Sequence, residues 1–148
     1  TAFNNSVKQY ELVNNPAESY VIKCLEKVEH VIGISAVTED NDPNGHLGKA
    51  GGYTATVYFT CDWVNQANVI GNTIIDKGTD GGGAIEVYAN VEDAESRDSY
   101  LAGFDGGVLA SGSHTVVGTC VVRTSDELAA SKQKELEAAV IGALTKLE

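Results

Sequence analysis

Apolar residues recur at three- and four-residue spacing in three stretches of this chain. Ala17, Tyr20, Val21, Cys24, Leu25 and Val28 share one stripe, which predicts an amphipathic helix. Asn15 is placed to cap it, with Pro16 at the first helical position and Glu18 as the capping-box partner. Asn90 and Asp93 repeat that capping pattern before "VEDAESRDSYLAGF", whose Ala94, Leu101 and Phe104 face inward. A closing helix carries Leu136, Ala139, Val140, Ala143, Leu144 and Leu147. Thr124 with Glu127, or Ser131, supplies its start signal.

Four other stretches read as strands. "VIGISAVTE" puts Ile32, Ile34 and Ala36 on one face. "YTATVYFTCDWV" alternates cleanly, with Tyr53, Ala55, Val57, Phe59 and Cys61 against Thr54, Thr56, Tyr58 and Thr60. "AIEVYAN" opposes Ile85 and Val87 to Glu86 and Tyr88, and "HTVVGTCVVRT" is a β-branched fourth strand. Residues 1–14 form a lead-in without periodicity. Residues 62–83 are a long connection ending in "TDGGG", whose glycines permit close backbone packing near the third strand.

The order is α-β-β-β-α-β-α, in a single domain over residues 15–148. An alternating sheet has one apolar face, and the helical stripes must cover it. The expected fold is an α+β two-layer sandwich: a four-stranded, mostly antiparallel sheet with three helices packed on one face. A right-handed crossover through the second helix makes strands three and four parallel. Asp62, Asp80, Ser111, Ser113 and His114 then gather at one end of the sheet, and Asp40, Asp42, Asn44, Asn90 and Arg123 at the other.

The net charge of −11 narrows the partners. The Lys and Arg residues form no basic run, which argues against nucleic acid or anionic lipid and leaves a protein, a glycan or a small ligand. No apolar run reaches membrane-spanning length. The chain starts at Thr1 and contains no Met. It therefore reads as a processed or excised piece, with any N-terminal anchor outside it. Cys24, Cys61 and Cys120 lack metal-ligand spacing and fall at inward positions, as buried thiols do.

Three groups of residues carry candidate chemistry. Asp40, Asp42 and Asn44, with the backbone of His46, match the first half of a calcium loop. Gly51 stands where the closing Glu belongs, so calcium affinity would be weak, on the order of millimolar. The same "DPNG" run is also a hydrogen-bonded turn signal. Ser111 or Ser113, with His114 as base and Asp80 as orienting carboxylate, supplies the ingredients of a hydrolase. No nucleophile elbow accompanies them. Thr54, Thr56, Tyr58, Thr60, Glu86 and Tyr88 tile the outward sheet face, a surface able to hold a partner by stacking and hydrogen bonding.

Residues 37–59 ("VTEDNDPNGHLGKAGGYTATVYF"), 76–106 ("DKGTDGGGAIEVYANVEDAESRDSYLAGFDG") and 111–137 ("SGSHTVVGTCVVRTSDELAASKQKELE") resemble a domain of surface-anchored or lipoprotein-like proteins from Gram-positive bacteria, including gut Firmicutes and actinobacteria. The resemblance spans nearly the whole chain from the first helix. It implies an extracytoplasmic setting and a tether outside this sequence. The family has no assigned activity, so no catalytic residue carries over. The expected function is a non-enzymatic, extracytoplasmic domain that binds a ligand or partner. The alternatives are a calcium-stabilised module and a hydrolase.

Overall fold

The second helix of the expected order keeps the side-chain cap read for it. In the computed structural model, which describes residues 2–147, it is α4 (Val91–Ala102), and the Asn90 side-chain oxygen accepts from the Asp93 N–H at 2.8 Å. The other helices are α1 (Ala2–Leu12), α2 (Glu18–Glu26), the single turn α3 (Ile74–Lys77) and α5 (Ala130–Leu144). The strands are β1 (Val31–Ala36), β2 (Ala55–Cys61), β3 (Gly82–Val87), β4 (His114–Val117) and β5 (Cys120–Thr124). They form one antiparallel sheet in the order β1-β2-β3-β5-β4. The fold is α+β, with five strands and five helices among the described residues where four and three were expected.

The extra strand comes from a hairpin. "HTVVGTCVVRT" turns back at Gly118 and Thr119, where Gly118 has φ of +59°, a conformation that favours glycine. β5 inserts between β3 and β4, and β3 pairs with it antiparallel. β4, which follows the crossover, therefore runs parallel to β3 as expected, but β5 lies between them. Gly82 illustrates the close packing read from "TDGGG": a Cβ there would lie 2.6 Å from the Phe59 carbonyl oxygen.

The alternation places the sheet residues as expected, on two faces. Val57, Phe59 and Cys61 of β2, Ile85 and Val87 of β3, and Cys120 and Val122 of β5 pack under Val21 and Leu25 of α2 and Leu136, Val140 and Leu144 of α5. Truncating a residue such as fully buried Phe59 to Ala costs roughly 3–5 kcal/mol. β1 departs from its expected face. A register shift between Val31 and Gly33 turns Val31 inward and leaves Ile32 59% exposed.

The helices do not all lie on one face. α4 covers the second face through Ala94 and Leu101, which pack on Tyr53, Tyr88 and Val121. Tyr53, expected on the first face, sits just before β2 and joins this cluster instead. α3 covers the same face over Tyr58 and Ala84 with Ile75, and Leu47 of the 38–52 loop reaches both clusters. The sheet is sandwiched, not open.

The chain start also differs. Residues 2–12 are helical, yet α1 buries none of its residues. Asn15 has φ of +47° and does not cap α2. Its N–H donates to Thr119 Oγ1 at 2.8 Å, and its side-chain oxygen accepts from Thr54 Oγ1 at 2.8 Å. That asparagine ties the start of the chain to the β4–β5 turn and to β2. α5 begins at Ala130 after a turn in which Ser125 Oγ accepts from the Glu127 N–H.

Candidate functional site

Covering the second face buries the residues expected to form an outward surface. Thr56, Tyr58, Thr60, Glu86 and Tyr88 are all buried, and Thr54 alone of the six is exposed. The tile of hydroxyls expected there is not available as a flat docking surface. α4 and the 38–52 loop lie on it, and Glu86 and Tyr88 bond inward beneath them.

Glu86 is the centre of that inward bonding. Its position on β3, the middle strand of the sheet, and under α4 leaves it 0% exposed. Arg97, in the second turn of α4, donates from Nε to Oε1 at 2.9 Å and from Nη2 to Oε2 at 3.2 Å. Arg123 of β5 lies diagonally across the ladder and donates from Nη1 to Oε2 at 3.2 Å. The Tyr88 hydroxyl donates to Oε1 at 2.7 Å. Burial pushes the Glu86 carboxyl up, but the two guanidiniums and these donors outweigh burial and hold it below the ordinary range. Burial beside that carboxylate pushes the Tyr88 hydroxyl far up, so it stays a donor.

Two cations share one anion. Arg97 and Arg123 are the two arginines of the whole chain, and their side chains are 11% and 10% exposed. Among the described residues, Arg123 Nε is buried without a hydrogen-bond partner, as is Thr56 Oγ1. The buried cluster carries a net charge of +1 inside a protein of −11.

Both arginines line a cavity of about 670 Å³ between α4, the 38–52 loop and the sheet. Tyr88, Leu101 and Phe104 supply apolar wall, and Tyr100 packs edge-on to Phe104 with 5.1 Å between ring centroids. The Arg97 guanidinium also stands 5.6 Å from the Tyr100 ring centre, within cation–π range. Asn44 and His46 enter from the loop, Ser96 and Asp93 from α4, and Ser111 from the connection before β4. Residues read from sequence as three separate groups thus meet here: Asn44 and His46, Tyr88, and Ser111. The dimensions suit a small molecule.

The loop forming one wall is organised by Asp42. Its Oδ1 accepts from the Asn44 N–H at 3.0 Å and its Oδ2 from the Leu47 N–H at 2.8 Å. The Tyr53 hydroxyl donates to the same carboxylate. Burial raises the Asp42 carboxyl, but Tyr53 and the backbone donors outweigh it and leave it below its usual value. Asp40 and His46 are exposed. Among the described residues no group of three or more His, Cys, Asp or Glu side chains is arranged to hold a metal ion. Asp42 and Asn44 of the calcium pattern are hydrogen-bonded within this loop, and Leu47 presses it onto the sheet.

The Ser/His/Asp group resolves differently. His114 and Asp80 do lie toward one end of the sheet, because His114 pairs with Arg123 while Gly83 pairs with Thr124. Arg123 belongs to this end, not to the opposite one, because the hairpin reverses the chain. His114 bonds Asp98 of α4 through Nδ1 at 2.6 Å and Asp105 through Nε2 at 3.0 Å. Burial lowers the imidazole pKa, but the two carboxylates outweigh it and raise it above its ordinary value. An imidazolium donating from both nitrogens has no lone pair for a serine. Ser113 Oγ bonds Thr124 Oγ1 at 2.6 Å. The Asp80 backbone carbonyl accepts from Ser125 Oγ at 2.7 Å. Asp62 bonds His30 at 2.9 Å.

Sequence reasoning passed over Arg97, Asp98 and Asp105. Arg97 had one usable signal: it and Arg123 are the two arginines among ten basic residues, and a Glu within an alternating strand needs a bidentate partner. All three cysteines are buried, and burial pushes the Cys120 thiol up to about 12. No helix among the described residues is long and apolar enough to cross a membrane. No protein-family pattern, curated protein or solved structure matches this chain.

Proposed function

We propose that this chain is a non-enzymatic domain that binds a small ligand in the cavity between α4 and the 38–52 loop. The single observation carrying this reading is the composition of the cavity. Both arginines of the chain are on its lining and nearly buried, among aromatic and small polar side chains. Ligand sites combine an apolar wall with a few convergent polar groups, and this cavity has that make-up. Binding is favoured over hydrolysis by the engagement of His114 with two carboxylates and of Ser113 with Thr124. An extracytoplasmic setting is part of the proposal and rests on the resemblance of residues 37–59, 76–106 and 111–137.

Crystals soaked in a mixed set of small polar and aromatic fragments test the reading. Fragment density is expected over Arg97 and Arg123. Density confined to other surfaces refutes it.

A further inference from the structure

The chemistry of the cavity floor narrows the ligand, given that the cavity is the binding site proposed above. We infer that its occupant is a small organic anion: a carboxylate carried on a flat apolar body, with the carboxylate seated at Arg97 and Arg123.

Three observations lead there. First, the buried charges do not balance. Glu86 accepts from both guanidiniums and is itself fully enclosed, so it neutralises one of two cations and is not part of the cavity lining. A nearly buried cation without a full counter-charge is costly unless another anion completes it. Second, Arg123 is under-bonded. It makes one hydrogen bond to Glu86 although a guanidinium offers five donors; its Nε is enclosed and without a partner among the described residues, so a ligand in the cavity would meet the Nη donors. Third, the wall over the arginines is aromatic and aliphatic. Tyr100 is 60% exposed and Leu109 is 75% exposed at the mouth, beside Phe104.

The facing charges set the ligand's valence. Asp93 is the carboxylate on the lining, and Asp98 and Asp105 are held by His114 close by. With the overall charge of −11, they disfavour a multiply charged anion more than a single carboxylate. Arginine, unlike lysine, presents a planar fork that matches a carboxylate. A ring attached to that carboxylate would meet the Tyr100 and Phe104 wall. The inference is thus a monocarboxylate with an apolar body, not a bare phosphate.

Titration calorimetry on the full chain with phenylacetate, its neutral isostere phenylacetamide and inorganic phosphate tests this. Phenylacetate is expected to bind at least about tenfold more tightly than the amide, the scale of a charge-assisted contact. Arg123→Met should erase that preference. Ser96→Trp fills the cavity from an exposed position on α4, leaves both arginines in place and should abolish binding. It guards against an Arg123 variant that fails to fold. Equal affinity for acid and amide, lost in Ser96→Trp, overturns the anion while leaving the cavity reading intact. Phosphate binding as tightly as phenylacetate overturns the apolar body. Absence of binding by all three probes overturns the anion inference, and fragment density elsewhere overturns the cavity itself.

Discussion

Replacing Glu86 by Gln keeps the side-chain shape and removes the charge on which both arginines converge. The wild-type carboxylate is fully enclosed and accepts from four donors at 2.7–3.2 Å. In Glu86→Gln the amide carries its own N–H groups, and one side of it must face a guanidinium donor. The arginines remain about nine-tenths buried as two uncompensated cations. Breaking a buried pair from one side costs roughly 3–5 kcal/mol. That is a large share of a typical folding free energy of about 5–15 kcal/mol. For a domain of this size each kcal/mol lowers Tm by roughly 2–4 °C, so the expected fall is about 6–20 °C.

Urea denaturation followed through the one Trp, Trp63, and by circular dichroism measures the change. The slope against urea should be unchanged while the midpoint falls. Adding Arg97→Met to Glu86→Gln removes one stranded cation and should recover part of the loss, a non-additivity characteristic of contacting groups. The pH dependence has a definite sign. Glu86 titrates below its ordinary value of 4.5 in the fold, so its contribution is present above about pH 4.5 and disappears as pH falls through the lowered value. Glu86→Gln should lack that acid limb. A variant within about 1 kcal/mol of wild type, with an unchanged acid limb, would refute the idea that this carboxylate organises the second face.

Four further outcomes follow from individual contacts. His114 titrates above its ordinary 6.5 because Asp98 and Asp105 face it. Its contribution, about 1 kcal/mol after discounting for partly exposed partners, is full below about pH 6.5 and fades as pH rises through the raised value. His114→Asn should flatten Tm measured from pH 5.5 to 8.5, because the titrating group is gone, whereas an unchanged slope argues against the pairing. Asn90→Ala removes the α4 cap and should cost about 1 kcal/mol in chemical denaturation, with an unchanged midpoint speaking against capping. Native protein should show negligible thiol reaction with Ellman's reagent, and denatured protein should react at all three cysteines; rapid native labelling would contradict their burial. Asp42→Asn should loosen the cavity wall and speed hydrogen exchange at the Leu47 amide, and unchanged protection there would count against its role as organiser.

The elements that were legible in sequence are those where one local pattern had one structural solution. The Leu136, Val140 and Leu144 stripe, the Asn90 cap and the inward Cys24, Cys61 and Cys120 are cases. Two misreadings were also local. Val116, Val117, Val121 and Val122 look like one β-branched run across Gly118, because a two-residue hairpin leaves β propensity unchanged on both sides. α1 lacks a buried stripe, so periodicity had nothing to report.

The largest misreading has a more general cause. Period-two alternation states which residues share a face, and it was right for Thr56, Tyr58, Glu86 and Tyr88. It says nothing of what lies over that face. An apolar face announces its cover because water must be excluded from it, whereas a polar face is equally consistent with solvent or with internal partners. Here the partners come from elements distant in sequence: Arg97 from α4, Arg123 from β5 and Leu47 from a loop read as a turn or an ion site. A Glu on the middle strand of a sheet cannot stay charged when enclosed without such donors. The scarcity of arginine supplies the missing inference. A chain using eight lysines and two arginines places the two forked cations where geometry, not charge alone, is required. That preference pairs Arg97 and Arg123 with Glu86, and the pairing with Arg97 draws α4 onto the polar face.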